Sequence, residues 1–223
     1  ELAKWVAQVD DPARLPEYLS RAFHTAQQGR PGPVVLALPE DVLSEDVDTP
    51  DARPARPAVA RPGAGEMAEL RDRLARAERP MAILGGGGWS AEAKADFEAF
   101  AHASDLPVAC AFRCQDYFDN THPCYAGDIG LGVNPALARR VREADLLLVV
   151  GARMGEATSS GYALLDVPTP SQDLVHVHPG AEELGRVYQP TLAIQAATPA
   201  FAAAARALDP VGAPPYAGVR EAA

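Results

Sequence analysis

The sequence predicts an α/β chain whose main body is a doubly wound, mostly parallel sheet. Three observations carry that expectation. Short continuous apolar runs recur at Met81–Leu84, Pro107–Phe112, Leu146–Val150, Leu174–Val177 and Leu192–Gln195, each the length of a strand buried on both faces. Between most of them lie stretches with apolar residues at helical spacing. Glycines or capping residues mark the joints, as at Gly85–Gly88, Ser90 and Asn134.

Taken in order, Asp11-Pro12 supplies a cap and a first-turn proline for a first helix. Leu15, Leu19, Ala22 and Ala26 form its apolar stripe, and Gly29 ends it. Pro33–Leu38 reads as one buried strand. One helix and one strand cannot bury their own apolar surface, so residues 1–42 are expected to be the remnant of another domain. From Glu40 to Gly65, prolines 50, 54, 57 and 62 alternate with charges, and residues 43–65 are taken as a linker. A helix with Met67, Leu70, Leu74 and Ala77 inward leads to the strand Met81–Leu84. Ser90 caps a helix facing inward through Ala93, Phe97, Phe100 and Ala101, followed by the strand Pro107–Phe112. Asn134-Pro135 opens the next helix, before Leu146–Val150. Thr198-Pro199 is expected to cap the last, with Phe201, Ala205 and Leu208 inward. The alternation predicts a Rossmann-like domain over 66–209. The tail 210–223, rich in Pro, Gly and Ala, reads as a second linker.

Bulk properties narrow the function. The chain has 223 residues, 48% of them hydrophobic, and a net charge of −10. That balance disfavours nucleic acid and anionic membrane surfaces. No apolar run has the length of a membrane span. Three cysteines, Cys110, Cys114 and Cys124, fit a reducing cytoplasm better than a disulfide framework. The start Glu1-Leu2-Ala3-Lys4-Trp5 is neither an initiator Met nor a signal peptide, and the chain is expected to be a piece of a longer one.

Several motifs then fall into one order. Lys4-Trp5, Leu15-Pro16-Glu17, Arg21-Ala22-Phe23, Gly29-Arg30-Pro31-Gly32-Pro33-Val34 and Leu38-Pro39-Glu40-Asp41-Val42 resemble the close of the pyrimidine-binding domain in the acetolactate synthase family of thiamine-diphosphate-dependent enzymes. Ile83–Gly87, Leu106-Pro107-Val108, His122-Pro123, Gly127–Gly130, Ala144–Leu148, Gly151–Met154 and Val175–Pro179 are similar to its central domain. The resemblance implies a three-domain enzyme that decarboxylates or joins small 2-keto acids and works as a homodimer or homotetramer. Thiamine diphosphate and magnesium would be held by pyrimidine- and diphosphate-binding domains outside this segment. It carries no catalytic residue onto this chain, because the activating Glu and the Gly-Asp-Gly…Asn magnesium motif have no match here. Gly127-Asp128 continues with Ile129.

Gly85, Gly86 and Gly87 lie after a strand and before a helix, and are either a cradle for a nucleotide phosphate (FAD or ADP) or a tight structural turn. Ser90 stands where the third glycine of Gly-x-Gly-x-x-Gly would be, and no acid is legible to hold a ribose. FAD is disfavoured by Ala111, Cys114 and Asp116, where flavin-binding relatives have a Thr and two glycines. Arg153 matches the family's arginine after the fourth strand; it pairs either with a phosphate or ribose or with Glu156. Cys110, Cys114, His122 and Cys124 are too irregular in spacing for zinc, and no metal ligand is assigned. His176 and His178 share one side of a strand and read as packing or ligand contacts. Asp116, Asp119 and Asp128 read as loop acids. An NAD-dependent enzyme on the same sheet would need an acidic ribose ligand and a catalytic His, neither of which is legible.

Overall fold

The computed structural model describes residues 2–211, so the 210–223 linker expectation lies, from residue 212 on, outside the described residues. The chain divides into two compact units, one up to Val59 and one from Ala60.

In the first unit, β1 (Trp5–Gln8) pairs in parallel with β2 (Val34–Ala37), from Trp5 opposite Val34 to Gln8 opposite Ala37. Between them run a 3-10 turn (Pro12–Arg14) and helix α1 (Leu15–Gln27). The sequence predicts one strand here, and the structure has two. β1 is four residues long with polar Gln8 at its end, and its partner lies beyond a whole helix, so no local signal marks it. Asp11 accepts from the Ala13 N–H at 2.9 Å, as its capping role requires. Gly29, at φ 57°, breaks the helix where expected. Lys4 reaches across to the carbonyls of Gln28 (2.6 Å) and Arg30 (3.0 Å), closing the loop after α1 onto β1. The stretch from Glu40 is not extended throughout, because a short helix α2 (Glu40–Ser44) opens it. Glu40 and Asp41 in its first turn suit the positive end of a helix.

Both strands alternate half-buried and exposed residues, leaving Val6 and Val35 66% and 50% exposed. Helix α1 has no fully buried residue, and its Phe23 is 59% exposed. A parallel sheet in a finished α/β layer is covered on both faces.

The second unit holds α3 (Ala64–Arg76), β3 (Pro80–Leu84), α4 (Ala91–Ala103), β4 (Val108–Cys110), β5 (Tyr125–Asp128), α5 (Pro135–Glu143), β6 (Leu146–Val150), β7 (Asp173–His178), β8 (Leu192–Gln195) and α6 (Thr198–Arg206). Its six strands stand in the order β5-β4-β3-β6-β7-β8 and every pairing is parallel. This is the doubly wound arrangement, with the order reversing between β3 and β6. Strand β5 is a second element without a sequence signal, since Tyr-Ala-Gly-Asp is half exposed and carries a glycine. Pro107–Phe112 shortens to Val108–Cys110 before the chain turns away.

The strand period of two sorts the core into two layers. Ala82, Leu84, Leu148, Val150, Val175 and Val177 face α3, α4 and α6 through Leu70, Phe97 and Phe201. Met81, Ile83, Leu147, Val149 and Leu174 face the other way, onto Leu137 and Val141 of α5 and onto Leu164, Leu165 and Tyr188. At the amino ends of the strands, Asp145 accepts from the N–H groups of Glu78 (2.6 Å) and Arg79 (2.8 Å), while Arg73 pairs with Asp173 and Glu69. These contacts lock the register of β3, β6 and β7 at the end opposite the crevice described next.

Candidate functional site

In open α/β sheets a crevice forms beyond the carboxyl ends of the strands where the order reverses, because the connections on either side run to opposite faces. Here it opens between the loops after β3, β4 and β6. A cavity of about 310 Å³ is lined by Gly86, by Ala111, Phe112 and Cys114, and by the segment after β6, through Ala152, Arg153 and residues 155–158.

The floor is an interlock of backbones. Gly86 and Gly151 both sit at φ +75°. A Cβ on Gly86 would lie 2.1 Å from the Gly151 carbonyl oxygen, and one on Gly151 would lie 2.4 Å from that of Gly85. A Cβ on Gly85 would meet the Cβ atoms of Ala111 and Ala152, each at 2.8 Å. The ends of β3 and β6 therefore touch at bare backbone, and the Ala111 methyl after β4 packs directly against Gly85.

Side chains then hold the glycine carbonyls. Trp89 donates its indole N–H to Gly85 O (3.0 Å), Tyr117 its hydroxyl to Gly86 O (2.8 Å), and Thr198 its hydroxyl to Gly87 O (3.2 Å). Trp89 and Tyr117 stack at 5.7 Å over the loop. Thr198 does not cap α6 with its side chain as the sequence predicts; Ala197 takes the cap position and the hydroxyl is spent on Gly87. Ser90 does cap α4, accepting from Ala93 N–H at 3.1 Å.

Of the residues singled out in the sequence, Gly86 and Arg153 line the crevice, whereas Gly85 is packed beneath it and Gly87 is not part of its lining. Arg153 is exposed and makes no ion pair among the described residues, so the pairing with Glu156, one of the two alternatives for it, is absent. Glu156 lines the crevice independently, with Thr158. No acid to hold a ribose is legible in the sequence; the structure puts one in the crevice from the loop after β6. Its signal was its place, three residues past Arg153 in the segment that follows the central strand.

The crevice wall is braced from behind. Ala152 and Met154 are buried, and Met154 takes φ 50°, an uncommon backbone for a non-glycine residue. The Ala152 carbonyl lies 2.8 Å from His176 Nε2, which therefore carries the proton. His176 and His178 are buried with ring centroids 6.2 Å apart. Burial pushes the His176 pKa down, with His178 adding to the effect and the Ala152 carbonyl and Glu183 opposing it. Cys114, on the opposite wall, has its thiol pKa raised by burial, with the Gly86 N–H opposing. Burial, aided by Cys114, Asp116 and Asp128, pushes Cys110 up to about 12. Both thiols are thus held protonated, unlike activated cysteines.

The remaining candidates do not assemble into a site. Cys124 points to the Ala101 carbonyl, and His122 accepts from Cys124 N–H. Asp119 folds onto Thr121, whose two donors lower its pKa, and Asp128 meets Gln115 at 3.4 Å. Among the described residues no group of three His, Cys, Asp or Glu side chains is placed to hold a metal ion. No helix among them is long and apolar enough to cross a membrane.

Comparison with known proteins places this architecture. Residues 67–205 match the family model described as thiamine pyrophosphate enzyme, central domain. Acetolactate synthase isozyme 1 large subunit of Escherichia coli (strain K12) is 32% identical over 185 residues, covering 82% of this chain and 32% of the relative. Glyoxylate carboligase of Escherichia coli O157:H7 is 29% identical over 197 residues, covering 86% and 32%. Benzoylformate decarboxylase from Polynucleobacter necessarius superposes with a TM-score of 0.73 at 21% identity, over 92% of this chain and 38% of that one, which bears on the fold alone. The chain spans about a third of the length of the curated relatives it matches.

Proposed function

This chain belongs to the thiamine pyrophosphate enzymes, as a central domain of the acetolactate synthase-like kind, and from that premise we propose that it serves as the scaffold of a 2-keto acid decarboxylase or carboligase. The observation that carries this is the family match over 67–205, on a sheet wound in the expected order. Thiamine diphosphate supplies the electron sink for cleaving or forming the bond beside the substrate carbonyl. Among the described residues no group of three His, Cys, Asp or Glu side chains is placed to hold a metal ion, and in this reading magnesium's ligands are assigned to the diphosphate-binding domain. The catalytic groups then belong to pyrimidine- and diphosphate-binding domains of the same polypeptide, in a cytoplasmic homodimer or homotetramer.

In this reading residues 1–42 close the pyrimidine-binding domain, 43–65 and 210–223 are linkers, and 66–209 form the central domain. The open face of the sheet at Val6 and Val35 supports the first assignment, since it is the surface another α/β layer would cover. The relatives include a synthase and a carboligase at similar identity, so a small 2-keto acid is as far as the substrate is drawn. Titrating the 223-residue chain with thiamine diphosphate and magnesium should give no saturable heat, and pyruvate should not turn over; either signal would refute the scaffold role.

A second role for the same domain is nucleotide binding at the crevice, with Gly86 in its floor above the buried Gly85 and Arg153 at its wall. Its position at the reversal of strand order supports this.

A further inference from the structure

The carboxyl end of β7 carries a hydrogen bond that two protonation states satisfy differently. His178 Nδ1 lies 3.0 Å from the Gly180 nitrogen and 3.0 Å from the Gly180 carbonyl oxygen. One ring nitrogen cannot serve both at once. Bare, it accepts from the N–H; protonated, it donates to the carbonyl. Gly180 is buried, and a buried N–H left without an acceptor is rarer than a carbonyl with an idle lone pair. The neutral ring therefore carries its proton on Nε2 and holds the Gly180 N–H.

The surroundings provide for the other state. A Cβ on Gly180 would lie 2.4 and 2.8 Å from the two carboxylate oxygens of Glu182, so that exposed side chain is folded over the turn. The 3-10 turn Ala181–Glu183 also brings in Glu183, buried and paired with Arg186 at 3.0 Å. The flanking strands place uncharged residues beside the rings: Val149 and Ala193 next to His176, and Gln195 next to His178. The loop after β6 meets the pair with the Ala152 carbonyl, while its Arg153 and Glu156 are exposed. On β7 itself stands His176, with ring centroids 6.2 Å apart. Two imidazolium rings that close repel, so the pair takes one proton before a second. His178 is where that proton finds a carbonyl already in place.

We propose that the turn His178-Pro179-Gly180 is a proton-operated switch. Neutral His178 accepts the Gly180 N–H. The imidazolium, its proton taken from solvent, lets that N–H go, donates to the Gly180 carbonyl instead, and leaves the N–H to the Glu182 carboxylate. The turn leads on to Tyr188, which packs in the layer behind the crevice, and His176 of the same pair holds Ala152 in the crevice wall. The switch therefore acts on the back of that wall. It stands apart from the thiamine-dependent reading and needs no ligand in the crevice.

The test is nitrogen NMR of the isotope-labelled chain, following histidine rings and backbone amides from about pH 8 to about pH 5. At the upper end His178 should show a bare Nδ1 and a proton on Nε2. As pH falls below the ordinary histidine value of about 6.5, Nδ1 should gain a proton and the Gly180 amide should shift with the same midpoint. Glu182→Gln removes the charge of an exposed side chain. It should lower that common midpoint, with proton affinity falling about threefold, and an unchanged urea midpoint at neutral pH verifies its fold. A His178 already protonated on Nδ1 at the upper end, or a Gly180 amide that does not follow the ring, overturns the switch. So does a midpoint unmoved by Glu182→Gln, or unfolding before His178 titrates.

Discussion

Gly86 and Gly151 meet backbone to backbone: a methyl group on Gly86 would stand 2.1 Å from the Gly151 carbonyl oxygen. The contact joins the loops after the two central strands, β3 and β6, where the strand order reverses. It explains why the glycine run is needed whether or not a ligand occupies the crevice.

Replacing Gly86 by Ala should therefore cost about 3 kcal/mol or more, combining a positive φ with a backbone clash. Gly87→Ala is the control, because a Cβ there meets nothing within 4 Å and its φ is not positive. It should change stability by less than about 1 kcal/mol, as measured by urea unfolding. Equal losses at the two positions would show that the interlock is not what the first glycine serves.

Phe97 is fully buried between α4 and the sheet, in edge contact with Trp89 (5.9 Å) and Phe100 (5.5 Å). Phe97→Ala should destabilise the second unit by about 3–5 kcal/mol. The same variant should shift the emission of Trp89, which lies above the glycine loop, and a variant with unchanged emission would contradict the packing.

His176 gives the second unit an acid-side weakness. Its folded pKa is depressed below the ordinary 6.5 by burial, so the unfolded chain takes up the proton first. The stability of the neutral imidazole is complete above about 6.5 and declines as pH falls through that value towards the folded pKa. His176→Gln, which keeps an N–H donor for Ala152 O, should flatten that decline as pH falls below about 6.5. A wild-type unfolding midpoint that does not move over this range would contradict it.

Cys110 is buried with its pKa pushed up to about 12, leaving almost no thiolate at pH 8. Mass spectrometry after brief treatment with iodoacetamide at about pH 8 should find Cys110 unmodified in the native chain and alkylated after urea unfolding. Rapid native labelling of Cys110 would show that β4 opens.

The two strands that the sequence concealed share a physical cause. Trp5–Gln8 and Tyr125–Asp128 are sheet-edge segments, half exposed, so neither carries a continuous apolar run. They become strands only because β2 and β4 present a free ladder to them. Thr198 illustrates the same limit on the scale of one hydroxyl. A Thr-Pro pair is a proper helix start, but the Gly87 carbonyl, more than a hundred positions away in the chain, captures the side chain.

What the amino-acid order determined unaided was everything set by periodicity and local chemistry. The buried strands Met81–Leu84 and Leu146–Val150, the helices between them, the caps at Ser90 and Asn134 and the family motifs all depend on neighbours within a few residues. What the tertiary structure alone decided was which loops share a crevice. Arg153 was legible as a candidate, but its separation from Glu156, the packing of Gly85 beneath the floor and the capture of three glycine carbonyls by Trp89, Tyr117 and Thr198 were not. Those relationships join segments far apart in sequence, and they exist only once two layers of buried side chains have set the strand ends side by side.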